Sequence, residues 1–411
     1  MEKAKSEWSR GWTVIAAAMA GMAMSSVHAY SMGVMIGPIE AEFGWPRSQI
    51  TLGMMISSLM SVALSPFFGM MIDRFGPRRI ALLGVLFYCA SLALLSTATA
   101  SLVTWCLLWT VLATSILSVK PTLWVAAVTS LFRERRGMAL ALVLSATGIS
   151  QAVTPAITYS LVEHFGWRMA YLALSGGSFL ITYPLIILFF RSARDLGDAA
   201  PSWTTSSTPD QGPGLSVRDG LRSAAFLKLG IAALAMSLAG AVLTVNLVPV
   251  LTSAGFTTGQ AAGVAAVSGG SAIVGRLGCG YLLDRYDARF VGGISVLLPI
   301  GTSLILLYLP GHLGAAILAA LLGGLAAGAE MDAISYLSGR FFGLRNFGAL
   351  FGSLAGILAL GVGMGPSLAN LIYDMSKSYA IVLWSIVPFS LLTSAMFLTL
   401  GSYPKFRHEH I

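Results

Sequence analysis

The chain has 411 residues, of which 56% are hydrophobic and only 10% are charged, and its mean hydropathy is +0.80. This composition excludes an ordinary soluble domain and indicates an integral membrane protein. The net charge of +8 does not indicate a nucleic-acid partner, because the basic residues form short clusters between apolar runs, as membrane topology requires. The three cysteines lie in apolar runs without metal-ligand spacing, so neither a disulfide framework nor a metal site is predicted.

Apolar runs long enough to cross a hydrocarbon core of about 30 Å recur along the chain. We predict twelve helices, at about 12–36, 48–72, 79–99, 102–131, 138–162, 168–190, 225–250, 258–283, 289–310, 313–338, 347–373 and 379–401. The segment between the sixth and seventh runs is rich in Ser, Thr, Pro and Gly, which is typical of a flexible linker. The sequence therefore predicts an all-α membrane protein with twelve transmembrane helices in two pseudo-symmetric six-helix bundles. These bundles are residues 1–190 and 225–411, the second with a short cytoplasmic tail, and a cytoplasmic linker at 191–224 joins them.

The distribution of Lys and Arg predicts the orientation. An even number of spans puts both termini on one side, and that side holds 20 of the 25 basic residues against three on the other. By the positive-inside rule both termini are cytoplasmic. The first apolar run imitates a signal peptide but exceeds the roughly 7 to 15 residues of a signal core, so we expect it to be kept as a span. We expect a monomer in a bacterial-type inner membrane.

The two predicted bundles repeat each other at an offset of 211 residues. The loop GMMIDRFGPRR, from Gly69 to Arg79, follows the second helix, and GYLLDRYDAR, from Gly280 to Arg289, follows the eighth. Gly137 opens the fifth helix and maps onto Gly348, which opens the eleventh. Parallel repeats are one of the architectures that secondary transporters use, with the substrate site near the bilayer midplane.

These features resemble the major facilitator superfamily. The G-x-x-x-D-R-x-G-x-R-R loop, its weaker echo and the layout of six plus six helices cover essentially the whole chain. Three stretches, RERRGMALALVLSATGISQAVTP, HFGWRMAY and GRLGCGYLLDR, resemble the bacterial carboxylate transporters related to monocarboxylate/proton symporters and oxalate:formate exchangers. One departure is Pro77, where the family loop usually has a basic residue.

Charged residues of the two repeated loops are predicted to act in gating; they are Asp73, Arg74, Arg78, Asp284 and Arg285. Asp73 ends the second helix and is expected to accept hydrogen bonds from the N-terminus of the eleventh, where the helix dipole favours an anion. For the arginines, anchoring to anionic lipid headgroups has equal weight.

Glu330 and Asp332 are two carboxylates inside the predicted tenth span. Each costs at least about 2.5 to 3.5 kcal/mol in lipid, so each is expected to face a cavity or a partner. Residues two apart on a helix point about 200° apart, so the two do not share one cavity. We predict that Glu330 takes the coupling proton and that Asp332 is a structural partner, with Asp332 as the second candidate for coupling.

Arg276 lies within the eighth span, about 12 Å from its cytoplasmic end. A guanidinium binds a carboxylate bidentately and keeps its charge, which suits an anionic substrate. The resemblance implies the same role for an arginine on this helix. The alternative is an ion pair with Asp332 or Glu330 that only holds two helices together.

Five further residues are candidate substrate ligands: Lys120, His28, Tyr30, Asn246 and Tyr336. Lys120 precedes Pro121, which favours a kink and a polar pocket, and by the repeat it lies at the depth of the two carboxylates. It is a second candidate cation, or a lysine whose charge Glu330 controls, or one half of a structural ion pair. The others are candidate hydrogen-bonding side chains, with interior packing as the alternative for each.

Together the residues and the resemblance favour proton-coupled transport of small organic anions, monocarboxylates first, by alternating access. An exchanger of the oxalate:formate type is the alternative, since Lys120 and Arg276 suit a divalent anion. An efflux carrier and a non-transporting sensor are weaker alternatives. The sequence contains no motif of an intramembrane protease or transferase, so we predict neither an enzyme nor a cofactor.

Overall fold

The computed structural model describes residues 2–132, 136–192, 195, 214–343 and 345–404, and these are almost entirely helical. In chain order the helices are α1 Glu2–Ser25, α2 Val27–Phe43, α3 Arg47–Phe75, α4 Pro77–Leu94, α5 Leu102–Leu117, α6 Pro121–Leu131, α7 Arg136–Phe189, α8 Val217–Arg222, α9 Ala224–Val245, α10 Leu247–Ser253, α11 Thr258–Leu283, α12 Ala288–Ser295, α13 Leu298–Tyr308, α14 Leu313–Phe342, α15 Phe347–Ser376 and α16 Ala380–Leu398. A 3-10 turn, Leu95–Thr97, follows α4. The predicted all-α class is confirmed.

Within the described residues, eleven helical stretches are long and apolar enough to cross a membrane, by length and composition. One of them, Gly137–Phe189, has 53 residues, which is far more than one span needs. Its backbone leaves helical geometry at Gly166, where φ is 77°. Glycine adopts this left-handed value without the steric strain that a Cβ brings. The bend separates the fifth predicted helix from the sixth, so the eleven stretches account for the twelve predicted spans.

The chain divides into two compact units. Unit 1 comprises Met1–Trp45 and Leu52–Thr208, and unit 2 comprises Pro46–Thr51 and Pro209–Ile411. The division at residue 208 falls inside the segment that was predicted to be a linker. Most of that segment lies outside the described residues, and its described end forms α8, whose first turn is capped by the Ser216 hydroxyl.

Four of the predicted continuous spans consist of two shorter helices each: α1 with α2, α5 with α6, α9 with α10 and α12 with α13. Proline accounts for two of these breaks. Pro121 and Pro299 lie in the first turn of α6 and α13. The N–H groups of a first turn have no acceptor within the helix, so the N–H that proline lacks is not needed there. At the first of these breaks, Nε1 of Trp124 donates to the carbonyl of Val119 at 2.9 Å and so pairs a backbone acceptor. The kink at Pro121 was predicted from the sequence, and the other three breaks were not.

Helices α11 and α14 of unit 2 pack backbone against backbone through glycines. A Cβ on Gly275 would lie 2.3 Å from the carbonyl oxygen of Leu325, and one on Gly328 would lie 2.1 Å from that of Ala272. Gly324 is in equally close contact with the facing helix. No side chain fits at these three positions. This is the small-residue contact by which membrane helices approach each other most closely.

The first turn of α3 is held within unit 2 by Asp374 of α15. The Asp374 carboxylate accepts hydrogen bonds from the backbone N–H groups of Arg47 at 3.1 Å and Ser48 at 2.8 Å. A carboxylate at a helix N-terminus pairs otherwise unbonded donors and is favoured by the helix dipole. The Arg47 guanidinium lies 4.2 Å from the Tyr373 ring centre and donates to the hydroxyl of Tyr379 at 3.2 Å. No feature of the sequence predicted this cluster.

A second polar cluster in unit 2 fixes the segment that follows α16. Asp287 caps α12, and its carboxylate accepts hydrogen bonds from the Arg289 side chain and from the Tyr403 hydroxyl. The Arg289 hydrogen bonds hold the pKa of Asp287 well below its usual range. Burial is the main cause that raises the pKa of Tyr403 to about 12, and Arg340 lies 4.6 Å from the centre of its ring.

We expect Gly328→Ala to destabilise the protein because the new Cβ meets a backbone carbonyl that cannot turn aside. Overpacking of this kind costs about 1 to 3 kcal/mol. Thermal melting of the purified full-length protein measures the loss. Gly314→Ala is the matched control, since it lies on the same helix with no atom within 4 Å of its Cβ position. Equal melting temperatures for the two variants would contradict the backbone contact.

We expect Asp287→Asn to lower the melting temperature at neutral pH by roughly 1 to 3 °C, the size of a partly exposed ion pair. A folded-state pKa below the unfolded value means that the carboxylate stabilises the native state above about pH 4 and loses this effect as the pH falls. The difference between wild type and variant should therefore shrink in acid. Asp284→Asn, three residues earlier and exposed, serves as the control. A difference that stays constant down to about pH 3 would exclude the ionised Asp287 as its cause.

Candidate functional site

Arg276 on α11 and Asp332 on α14 form an ion pair inside unit 2. Nε of Arg276 lies 3.8 Å from Oδ2 of Asp332, and the side chains are 16% and 25% exposed. The separation is longer than a hydrogen bond, and the pair is neither fully buried nor fully solvated. An anion that reaches Arg276 therefore competes with a carboxylate that is already beside it.

The glycine contact between the two helices sets the position of this pair. A Cβ on Gly328 would lie 2.7 Å from the backbone nitrogen of Arg276, so the two backbones meet at the level of the arginine. Asp332 follows Gly328 by four residues and lies on the same face of α14. The close approach thus presents Asp332 to Arg276, which was one of the two pairings weighed from the sequence.

Glu330 points into a separate part of unit 2. It lines a cavity of about 20 Å³ together with residues of α9, α13, α14 and α16, among them Gly240, Pro299, Ser390 and Thr393. Its Oε1 atom is buried and has no hydrogen-bond partner among the described residues. A Cβ on Gly240 would lie 3.0 Å from Oε2, so the glycine makes room for the carboxyl group. Neither Arg276 nor Asp332 lines this cavity.

The two carboxylates therefore occupy two environments on one helix. Asp332 faces α11 and a fixed cation, whereas Glu330 faces an apolar cavity with two hydroxyl groups. Helical geometry separates residues two apart by about 200°, and the structure supplies a different neighbour on each side.

Lys120 lies in unit 1, at the break between α5 and α6. It occupies the N-cap position of α6, and its Nζ donates a hydrogen bond to Oγ of Ser65 on α3. Ser65 is neutral, so this hydrogen bond brings no negative charge to Lys120. The break positions a half-buried cation beside the ends of two helices.

His28 and Tyr30 lie half-buried on α2. Nδ1 of His28 is hydrogen-bonded to the hydroxyl of Tyr88 at 3.2 Å, and the backbone N–H of His28 also meets that hydroxyl at 3.3 Å. The imidazole packs edge-on against Tyr88 and Trp109. Tyr88 is fully buried, so His28 has a hydrogen-bond partner inside unit 1.

Asn246 and Tyr336 belong to unit 2. Asn246 is fully buried at the break between α9 and α10, and its Oδ1 accepts from Nδ2 of Asn370 at 3.4 Å. Its own Nδ2 has no hydrogen-bond partner among the described residues. Tyr336 packs against the hydrophobic core of unit 2, on the same helix as the two carboxylates. The structure does not bring either residue into the Arg276–Asp332 pair.

The predicted gating residues differ in their surroundings. Asp73 lies in the last turns of α3, and its side chain is outside the described part of the structure. Arg78 donates to the carbonyl of Ile187 at 2.9 Å, near the end of α7 where carbonyls lack intrahelical partners. Arg74 is exposed and lies 5.4 Å from the Phe75 ring centre.

The equivalent residues of the second loop are both exposed. Asp284 caps the end of α11, and the Arg285 guanidinium lies 4.2 Å from the Tyr281 ring centre.

The residues that contact the candidate residues, or that line a cavity with them, were not predicted. Ser65, Tyr88 and Ser390 are ordinary members of apolar helices, and no sequence signal distinguishes them from other packing residues. Gly240 does carry a signal, because a glycine inside a helix points to a close approach. Among the described residues, no group of three or more His, Cys, Asp or Glu side chains is arranged to hold a metal ion.

Comparisons with known proteins support one family. The sequence model of the Major Facilitator Superfamily matches residues 13–320. The chain is similar to monocarboxylate transporter 13 of Bos taurus, with 27% identity over 299 residues, which is 72% of this chain and 65% of that protein. It is also similar to riboflavin transporter RibJ of Trypanosoma cruzi (strain CL Brener), with 27% identity over 168 residues, 40% of this chain and 35% of that protein. The chain thus spans less than two thirds of the length of either relative.

Among solved structures, the fold is similar to a bacterial homolog of the human lysosomal transporter Spinster in an inward-facing, unoccupied conformation. The TM-score is 0.71 at 16% identity, over 96% of this chain and 99% of that one. The occupied inward-facing form gives a TM-score of 0.70, also at 16% identity, over 95% and 97% of the two chains. Because the family match covers well over half of the sequence, this chain belongs to the major facilitator superfamily, which is a family of membrane transporters and not of enzymes.

Proposed function

We propose that the protein is a secondary active transporter of small organic anions that couples their movement to protons by alternating access. The observation that carries the proposal is the partly exposed Arg276–Asp332 pair. The guanidinium keeps its positive charge and binds carboxylates bidentately. Its partner, Asp332, becomes neutral when it binds a proton, whereas the guanidinium stays charged.

In the proposed cycle the substrate carboxylate replaces Asp332 at the guanidinium, and Asp332 takes a proton. Removing one partner from a fully buried ion pair costs about 3 to 5 kcal/mol, and less where the pair is partly exposed, as here. The exchange avoids most of this cost, because Arg276 stays paired and Asp332 becomes neutral. Substrate and proton then raise the affinity for each other, as linkage requires.

Monocarboxylates are the proposed substrate class. One fixed cation with one exchangeable carboxylate suits a single carboxylate group. The similarity to monocarboxylate transporter 13 supports the same class. The proposal also includes a monomer in a bacterial-type inner membrane, and the distribution of basic residues supports cytoplasmic termini.

An organic-anion exchanger of the oxalate:formate type is the alternative, and Lys120 is the observation that favours it. Its ammonium group is hydrogen-bonded to a neutral hydroxyl, so unit 1 carries a cation of its own in addition to the arginine of unit 2. An exchanger moves anions in both directions without a proton. An exchanger is expected to show counterflow of labelled oxalate at a rate that does not depend on pH.

We expect Arg276→Lys to weaken monocarboxylate binding roughly tenfold or more, because an ammonium cannot reproduce the two parallel hydrogen bonds of a guanidinium. Titration of the purified protein with acetate, lactate and pyruvate, followed by thermal shift, measures the affinity. Arg168→Lys controls for the substitution itself, since Arg168 pairs with Glu42 in unit 1. An unchanged affinity in Arg276→Lys would remove this arginine from the site.

We expect Asp332→Asn to make substrate affinity independent of pH, whereas the wild-type affinity rises as the pH falls, because proton and anion binding are linked. The variant should keep counterflow in proteoliposomes and lose uptake driven by a pH gradient. Glu330→Gln is the matched control, because it makes the same carboxyl-to-amide change on the opposite side of α14, and it should keep the pH dependence of binding. If Asp332→Asn retains that dependence, the coupling site is elsewhere. Wild-type uptake that ignores pH would favour the exchanger.

A further inference from the structure

A cavity inside unit 2 has no role in the exchange at Arg276. It is lined by residues of α9, α13, α14 and α16, and its volume of about 20 Å³ is enough for one water molecule. Its walls are mainly small and aliphatic side chains of α9 and α14, such as Ala239 and Ala326. Among the described residues, the polar side chains that line it are Glu330 of α14 and Ser390 and Thr393 of α16.

The carboxyl group of Glu330 lacks compensation there. Its Oε1 is buried without a hydrogen-bond partner among the described residues, and the structure pairs the neighbouring cation, Arg276, with Asp332 instead. An isolated ionised carboxylate in an apolar interior is strongly disfavoured, whereas a neutral acid needs only a hydrogen-bond partner.

The two hydroxyl groups of α16 are not equivalent. Oγ1 of Thr393 donates to the carbonyl of Phe389 in its own helix at 2.9 Å, so its proton is already used. Ser390 is only 3% exposed, and its side chain lines the cavity. A serine hydroxyl accepts and donates hydrogen bonds, so Ser390 suits a water molecule that also meets Glu330.

We propose that this cavity is a proton site in its own right, in which a neutral Glu330 donates a hydrogen bond to one water molecule and that water donates to the Ser390 hydroxyl. No bond is broken except the O–H bond of the carboxyl group, whose proton leaves to water when the site empties. The use of this proton in transport rests on the proposed function. The existence of the site does not, because it involves neither Arg276 nor Asp332.

Glu330 lines the cavity, and the other charged and titratable groups on the surrounding helices do not. The helices packed against α14 carry Lys228, Arg276, Cys279, Tyr281, Arg289, Tyr308, Tyr373 and Asp374, and α14 itself carries Asp332, Tyr336 and Arg340. None of these residues lines the cavity. Glu330 is therefore the group at this site that takes or releases a proton.

Infrared spectroscopy of the purified full-length protein tests the proposal without substrate. A neutral carboxylic acid has a carbonyl stretch that an ionised carboxylate and an amide lack. We expect this band at pH 7 in the wild type and in Asp332→Asn, and its loss in Glu330→Gln. Ser390→Ala should shift the band because the water loses its acceptor. Ser394→Ala, a buried serine on the same helix outside the cavity lining, should leave the band in place.

Four outcomes would overturn the proposal. A band that survives in Glu330→Gln belongs to another carboxyl group, and the absence of any band means that Glu330 is ionised. Stabilisation of the wild type, and not of Glu330→Gln, by sodium chloride over choline chloride would make the cavity a cation site. A Ser390→Ala spectrum identical to wild type would remove the water bridge. Loss of pH-dependent substrate binding leaves these spectra unchanged, so the two proposals fail separately.

Discussion

The contact between the backbones of α11 and α14 is the constraint from which the rest of the site follows. Gly275, Gly324 and Gly328 bring the two helices so close that the Ala272 carbonyl occupies the space of a side chain. At this distance a long side chain on one helix meets the facing helix one turn later. Arg276 therefore finds Asp332, and the pair needs no loop or ligand to hold it in place. Membrane helices achieve such approaches only with small residues, which explains the glycine and alanine content of α14.

One helix thus presents two acids to two different surroundings. The α11 side offers a cation, so an ionised Asp332 is compensated, while the α9 and α16 side offers a cavity and hydroxyl groups, so Glu330 is not. To bring Glu330 to Arg276 and Asp332 to the cavity, α14 would have to rotate about its axis by about half a turn. The glycine contact opposes such a rotation, because any other face of α14 would bring side chains against the α11 backbone. Packing therefore assigns the chemistry of each carboxyl group.

Much of this arrangement was predictable from local rules, and the rest depended on tertiary contacts. The twelve spans followed from hydropathy, and the opposite orientation of Glu330 and Asp332 followed from helical periodicity. The break at Lys120 followed from Pro121, whereas the break after Ser295 has its proline, Pro299, four residues later and was missed. The Ser65 and Tyr88 partners arise from contacts between helices. A serine or tyrosine in an apolar run carries no sign of which distant residue it will meet.

The choice of arginine at position 276 has a consequence for coupling. A lysine beside Asp332 could lose its own proton, so either the lysine or the aspartate could become the neutral member of the pair. A guanidinium keeps its charge, which leaves Asp332 as the only member that can become neutral when an anion arrives. In the proposed cycle a substrate carboxylate therefore brings a proton with it, because any other occupancy leaves two carboxylates beside one cation. In this proposed cycle the proton and the anion move together because the arginine keeps its charge, whichever carboxylate reaches the pair.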